Sequence, residues 1–428
     1  MHIIPFTVPQ FEWPALYDYV RAFFRNQWHE GNEIKRLEEQ VARFIGVQHA
    51  LFFASGRYAL FLLYEYFGCR GKKVIVPAYT CIPAADAFRW AGADPFFVDI
   101  DPRTYNPQYD PRIQDLDDVG AVCLSYLYGL VSDPEEFIQW ASSADVPVIE
   151  DAAIALGAKV GEKLVGSIGH AGVLSLQSSK IVTGWRGGVI TTNDEKLFDF
   201  LRRHQQQQRS PSSLKLMMNG FLMAVLRLMA PPRIYSLIGY PLKRMSSAHH
   251  IAKLLEKLID QNPVEAITAD SPESLPPDER RRFTNPQAML ALASLERLDE
   301  ILTIRRRNAA YLINGLKEIT GVIPPMSVPG TEHAYGRFPV RIEGLDKNEA
   351  VKLFARNSVE IGVNYPYIIP DTPYFRGINS GNRDFPNARE AARETILLPF
   401  HTYLNIRDLD HIIAAVKRVA ATGRRHTP

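Results

Sequence analysis

Between Asn32 and about Thr192 the chain keeps switching its apolar period. NEIKRLEEQVARFIG repeats apolar residues at helical spacing and closes on Gly46, a natural helix terminator. HALFFASG is a short apolar run ending in Ser55-Gly56, and RYALFLLYEYFG is helical again. KKVIVPAYT reads as strand then loop, AADAFRWAG as helix and DPFFVDID as strand. AVCLSYLYG, VPVIEDAA, AGVLSLQSS and GGVITTN are further apolar runs. Strands that alternate with helices predict an α/β fold with a mainly parallel sheet and helices on both faces. Such sheets bind ligands at the carboxyl ends of their strands. Ser55, Asp151 and Ser175 lie at such ends.

Beyond Asn262 the pattern changes. ESLPPDERRR is a polar, proline-bearing linker, and PQAMLALASLERLDEILTIRRRNAAYLINGLKEI predicts one long amphipathic helix. FPVRIEG, VEIGVNYP and a last helix, RDLDHIIAAVKRVAAT, suggest a smaller α+β domain. The expected division is a large domain over 1–262 and a linker, long helix and small domain over 263–428. A chain of 428 residues, 46% apolar, has material for more than one core. With 49 basic and 47 acidic residues the net charge is +2, which lacks the basic excess of a nucleic-acid binder. Cys69, Cys81 and Cys123 show no metal-ligand spacing and suit a reducing, cytoplasmic setting. MHIIPFTVPQFEW has no basic segment followed by an apolar core, so no signal peptide is expected.

An apolar stretch, Leu214 to Met245, sits within an insert spanning about 205–262. Arg227 and Pro231-Pro232 interrupt it well short of the ~20 apolar residues of a membrane span. It reads either as a helical hairpin buried against the body or a partner subunit, or as a peripheral membrane patch or a docking place for a lipid-linked substrate.

The stretch VIEDAAIALG places two carboxylates, Glu150 and Asp151, at the end of a strand, and Lys180 follows 29 positions after Asp151 (180 minus 151). A carboxylate and an amine at one sheet edge have a specific use. Pyridoxal phosphate condenses with a lysine amine while an acid keeps its ring nitrogen protonated. Ser55-Gly56 before a helical pattern offers free amides and a positive dipole end to a phosphate, and Ser175 and Ser178 add hydroxyls near Lys180.

Longer blocks carry a resemblance: GNEIKRLEEQVARFIGVQHALFFASG, VIVPAYTCIPAADAFRWAGADPFFVDIDPRTYN, VPVIEDAAIALGAKVGEKLVGSIGHAGVLSLQSSK, GGVITTND, RFTNPQAMLALASLERLDEI and ETILLPFHTYLNIRDLDHIIAAV. In this order the chain resembles the DegT/DnrJ/EryC1/StrS family of pyridoxal phosphate-dependent sugar aminotransferases. The resemblance implies a fold type I enzyme with a seven-stranded, mainly parallel sheet, a smaller C-terminal domain and a homodimer with shared active sites. It implies that Lys180 is the cofactor-bonding lysine and proton carrier, and that Asp151 pairs with the pyridine nitrogen. Gly56 and Arg57 match the phosphate turn, Ser175 matches a phosphate-contacting serine, and Arg282 matches an arginine approaching the neighbouring subunit's site. It implies transfer of an amino group from an amino acid, by family habit glutamate, to a keto-sugar, usually nucleotide-linked, in polysaccharide, lipid-sugar or secondary-metabolite synthesis.

The departures are specific. Arg57 replaces a threonine, Ile154 a glutamine beside the cofactor ring, Leu156 a histidine and Arg186 a glutamate. Cys81 stands where the stacking residue is usually aromatic, with Tyr79 two residues earlier. The segment between Gly188 and Gln287 is longer than the family pattern. These changes keep two other readings open: an enzyme for a non-sugar or lipid-like ketone, and a non-catalytic, cofactor-binding regulatory protein. Lys180 argues against the family's dehydratase branch, where a histidine takes that place.

Overall fold

The protein is described from a computed structural model, which covers residues 3–24, 28, 31–241, 274–376 and 384–423. Nine strands occupy the first half: β1 (His49–Phe53), β2 (Lys73–Pro77), β3 (Asp94–Val98), β4 (Val119–Ser125), β5 (Val148–Asp151), β6 (Lys159–Val160), β7 (Lys163–Leu164), β8 (Ala171–Ser175) and β9 (Gly188–Thr192). Seven of them form one sheet in the order β1-β9-β8-β5-β4-β2-β3. The pairs β2–β3, β2–β4, β4–β5 and β5–β8 are parallel. β9 runs antiparallel to both its neighbours. The chain between β8 and β9 has no crossover helix to reverse its direction. It folds back on itself instead, with Leu176 N–H donating to the Gly187 carbonyl (2.8 Å) and Ser178 N–H to the Trp185 carbonyl (3.0 Å).

Strand residues alternate between two apolar cores. From β1, Leu51 and Phe53 enter one core and Ala50 and Phe52 the other, as the two-residue period requires. Helices Gly56–Tyr66 and Ile82–Trp90 cover the first core, and Glu33–Ile45 covers the second. The helix Glu33–Ile45 stops because Gly46 takes a left-handed conformation (φ +83°), where a Cβ would be strained.

The first core continues without a break into the C-terminal part, through Phe338, Val340, Leu397 and Ile412. There β10 (Val322–Ile323), β12 (Phe338–Ile342) and β13 (Thr395–Leu398) form an antiparallel sheet, while β11 (Thr331–Glu332) pairs with the β6–β7 hairpin. VEIGVNYP forms no strand. It makes single bridges only, Val359 with Ile4 and Gly362 with Leu397.

The single long helix expected over PQAMLALASLERLDEILTIRRRNAAYLINGLKEI is two helices, Asn285–Leu295 and Leu298–Leu316. Arg297 breaks them apart, leaving helical geometry at φ −104°, ψ 9°. Glu296 and Arg297 are polar and exposed, so a bend between them leaves the apolar pattern on either side unchanged. The first helix is buried on most of its surface, from Asn285 to Ser294.

Within the apolar insert, helix Ser213–Met229 buries Leu216, Gly220 and Met223 against helix Trp13–Phe24. Its other face exposes Leu214, Met217, Met218 and Phe221, and Leu237 beyond it is 78% exposed. The buried-hairpin reading therefore describes one face of this helix within a single chain. Residues 242–262 of the insert lie outside the described residues. Among those described, no helix is long and apolar enough to cross a membrane.

Candidate active site

A cavity of about 360 Å³ opens at the carboxyl ends of β1, β5 and β8. The sequence-expected residues Ser55, Gly56, Arg57, Cys81, Asp151, Ile154, Ser175, Lys180 and Arg282 all line it.

β5 ends on Glu150 and Asp151, which alternate across the sheet. Glu150 turns away from the cavity, and its carboxylate accepts from the backbone N–H groups of Gly166 (2.9 Å), Ile168 (2.7 Å) and Gly169 (2.8 Å). Asp151 faces the cavity and accepts from Ala153 N–H at 3.2 Å. Burial raises the Asp151 pKa above its ordinary value, while Ala153 N–H, the Lys180 ammonium and the Ser125 hydroxyl pull it back. A buried carboxylate in this position is poised for a cation on the cavity side.

Lys180 lies in the β8–β9 loop. Its N–H donates to the Gln177 carbonyl (2.9 Å), and Thr183 Oγ1 accepts from Trp185 N–H (3.0 Å). Trp185 anchors the loop by packing edge-on against Phe11, centroids 6.3 Å apart. The amine thus hangs from a loop tied at both ends.

The third group is the N-terminus of helix Gly56–Tyr66. Ser55 caps it, its Oγ accepting from Tyr58 N–H (3.1 Å) and donating to the Glu279 carboxylate. Gly188 lets this turn sit close to β9: a Cβ there would lie 2.4 Å from Gly56 N. Arg57 reaches Asp86 (3.5 Å) and Glu279 (4.0 Å), with its guanidinium carbon 5.6 Å from the centroid of the Trp90 ring. Glu279 thus places a carboxylate at the N-terminus of this helix, an end whose free amides and dipole would favour an anion.

Two expected residues do not reach the cavity. Tyr79 is fully buried; its hydroxyl pairs with Tyr128 Oη (2.9 Å) and its ring meets Tyr365 edge-on at 5.7 Å. Ile369 N–H bonds to the Ala78 carbonyl (2.8 Å) and holds the C-terminal part over Tyr79. Tyr365, with a backbone φ of +48°, lines the cavity instead. Ser178 is buried within the loop with an unpaired hydroxyl, and its neighbour Ser179 lines the cavity. Cys81 lies in the wall, its thiol pushed up to about 11, chiefly by burial, and therefore protonated at neutral pH. Leu156 packs into the second core and does not line the cavity.

Sequence reasoning missed other residues of the lining, namely Phe6, Lys215, Asn219, Glu279, Arg337, Asn364 and Tyr365. Lys215 pairs with Asp278 at 3.0 Å. These residues come from segments far apart in the chain, and no local pattern marks them. Arg186, which stands where glutamate is usual, also lines the cavity. Arg282 lines the cavity of its own chain.

The chain matches the sequence profile of the DegT/DnrJ/EryC1/StrS aminotransferase family over residues 15–223 and 277–417. It is 28% identical over 419 residues to GDP-perosamine synthase of Caulobacter vibrioides, covering 94% of each chain. It is 26% identical over 405 residues to the UDP-2-acetamido-2-deoxy-3-oxo-D-glucuronate aminotransferase of Pseudomonas aeruginosa, covering 92% of this chain and 93% of that one. Helicobacter pylori PseC, an aminotransferase involved in pseudoaminic acid biosynthesis, superposes with a TM-score of 0.77 at 16% identity, over 98% of this chain and 100% of PseC.

Aminotransferases of this family depend on pyridoxal phosphate, and the donor set in the cavity fits it. Asp151 can hold a protonated ring nitrogen, Lys180 can bond an aldehyde carbon, and the Ser55–Arg57 helix end can take a phosphate. The chain is a pyridoxal phosphate-dependent enzyme of the DegT/DnrJ/EryC1/StrS aminotransferase family.

Proposed function

We propose that this enzyme moves an amino group from an amino acid, glutamate by preference, to the ketone of a nucleotide-linked sugar. The single observation that carries the reading is the meeting of Asp151, Lys180 and the Ser55–Arg57 helix end in one cavity. Asp151 would hold the ring nitrogen, Lys180 the aldehyde carbon, and Ser55, Gly56 and Arg57 the phosphate, with Ser175 and Ile154 beside them. The bound cofactor supplies an electron sink for the carbon that loses its proton. Lys180 Nζ removes that proton from the donor's Cα and, in the second half-reaction, delivers one to the carbon that gains nitrogen. The Asp151 carboxylate keeps the ring nitrogen protonated throughout. Tyr365 and Cys81 narrow the cavity and limit water.

The named activities of the relatives support a keto-sugar over a lipid-like ketone. The larger part of the chain, 1–262, supplies Asp151 and Lys180, and the smaller, 263–428, adds Glu279, Arg337, Asn364 and Tyr365 to the lining. The exposed apolar side chains of Trp13, Tyr17, Phe221 and Leu237 suit a homodimer contact, in a cytoplasmic enzyme. The test is to load the purified protein with pyridoxal phosphate and offer glutamate with a panel of nucleotide keto-sugars, reading amino-sugar by mass spectrometry. A yellow protein that no amino acid bleaches would refute aminotransfer. Light scattering checks the dimer: a monomer in wild type, or a dimer undisturbed by Phe221→Ser, would count against that face.

A further inference from the structure

Residues 3–8 form a strap that joins regions far apart in the chain. Its backbone pairs with the C-terminal part: Ile4 N–H donates to the Ser358 carbonyl and Glu360 N–H to the Ile4 carbonyl, both at 3.0 Å. Ile4 is buried in the first core. Two residues on, Phe6 lines the cavity, with Thr7 beside it.

The Phe6 ring has a tight seat. A Cβ at Gly362 would lie 2.2 Å from Phe6 Cζ. The guanidinium carbon of Arg337 stands 5.7 Å from the ring centroid. Arg337 Nη1 in turn donates to the Ser179 carbonyl at 3.0 Å, one residue before Lys180. The ring therefore packs on a cation that ties down the lysine-bearing loop.

A segment this near a chain terminus frays unless it is tied, and here a carboxylate ties it. Glu360 Oε2 accepts from Phe6 N–H at 3.1 Å and from the Tyr235 hydroxyl at 2.6 Å. Ile3 N–H donates to Ser236 Oγ at 3.0 Å. Tyr235 and Ser236 belong to the insert, in the helical turn Tyr235–Gly239. Bonds to a charged acceptor are roughly twice as strong as neutral ones, so this carboxylate is the strap's main tether. The contacts run unbroken from the Tyr235 hydroxyl through Glu360, Phe6 and Arg337 to Ser179. Residues 3–8 and 235–239 both lie outside the stretches 15–223 and 277–417 that match the family profile, so no shared motif accounts for this connection.

We propose that Tyr235 and Glu360 are positioning residues for the active site. They seat Phe6 against Arg337 and so hold the loop that presents Lys180. The inference rests on Lys180 as the cofactor-bonding lysine. It gives the insert a part in catalysis that does not depend on what its exposed face meets.

Hydrogen exchange tests the seat without turnover. In the cofactor-free protein, Tyr235→Phe and Glu360→Leu should speed exchange of the amides of residues 3–8 by about 10-fold, with β4 and β5 unchanged. Glu360→Gln keeps an oxygen acceptor and should recover most of the protection. Unchanged exchange in both variants overturns the proposal. In the cofactor-loaded protein, the same two variants should slow the limiting rate at which glutamate bleaches the cofactor by about 3- to 10-fold, since a small displacement of the proton carrier is costly. Phe6→Ala should slow it equally, and adding Tyr235→Phe to Phe6→Ala should change it less than about twofold. Gly362→Ala, which crowds the ring and leaves Tyr235 and Glu360 in place, should slow it too. Multiplying effects in the double variant, or faster exchange with an unchanged bleaching rate, would leave the strap merely structural and overturn the proposal. If no amino acid bleaches the wild type, the aminotransferase reading fails, and the cofactor's visible band decides instead. Its pH midpoint should move by about half a unit in Tyr235→Phe and Glu360→Leu, and an unmoved midpoint overturns the proposal.

Discussion

Glu150 and Asp151 are neighbours on one strand, yet they do opposite work on opposite faces of the sheet. Glu150 is fully buried and spends both oxygens on three backbone N–H groups of residues 166–169. It ties the turn after the β6–β7 hairpin to the end of β5. Asp151 keeps one backbone donor and turns the rest of its charge toward the cavity. A carboxylate whose partners are built into the chain belongs to the fold. One whose strongest partner must arrive from outside belongs to the site.

That contrast can be broken by experiment. The largest effect is expected at the cavity: Lys180→Ala should lower transamination ~10⁴-fold and Asp151→Asn ~10³-fold, the range of lost proton transfer and lost charge stabilisation. Stopped-flow absorbance with glutamate reads both. Asp151→Asn should leave the cofactor-free protein as stable as wild type, or more so. Glu150→Gln should behave in reverse. It should unfold more easily by ~1–3 kcal/mol in urea, because an amide NH₂ would face backbone donors. Its cofactor affinity should be unchanged. If Glu150→Gln loses the cofactor while Asp151→Asn unfolds, the assignment of roles is inverted.

A pH series sharpens the comparison. Burial raises both carboxyl pKa values in the folded chain, with backbone N–H groups opposing. Above the unfolded value of about 4, the folded state therefore holds more protons than the unfolded one, and stability falls as pH rises. Measured against Asp151→Asn, the urea midpoint of the cofactor-free wild type should lose ground from pH 4 upward, since that difference isolates the Asp151 carboxyl. The smallest expected effect is at Glu279, whose carboxylate sits at the helix end proposed to hold the phosphate. Glu279→Gln should tighten cofactor binding about fivefold, as expected for removing one part-exposed like charge. Fluorescence titration measures it, and weaker binding would show that Glu279 helps to build the phosphate cradle.

Much of this site is legible in the sequence. Asp151, Ser55 and Ser175 stand at strand ends in the residue pattern, and Lys180 follows at a distance that one hairpin and one strand account for. Tyr79 was misplaced, because a run such as VPAYTC does not say which side chain the C-terminal part will cover. The break at Arg297 leaves no signal in the sequence, because polar residues on a helix surface look alike whether the axis is straight or bent.

What the residues alone determined is periodic and local: two-residue and 3.6-residue apolar rhythms, capping at Ser55 and termination at Gly46. These follow from backbone geometry, which every chain segment obeys without knowing its neighbours. Tertiary structure decided the rest. It ran β9 against its neighbours, turned Glu150 and Asp151 to different partners, and brought Arg337, Lys215 and Tyr365 into the cavity that Lys180 lines. Those choices depend on which surfaces exclude water together, and contacts between separate segments of the chain leave no mark in any single stretch of sequence.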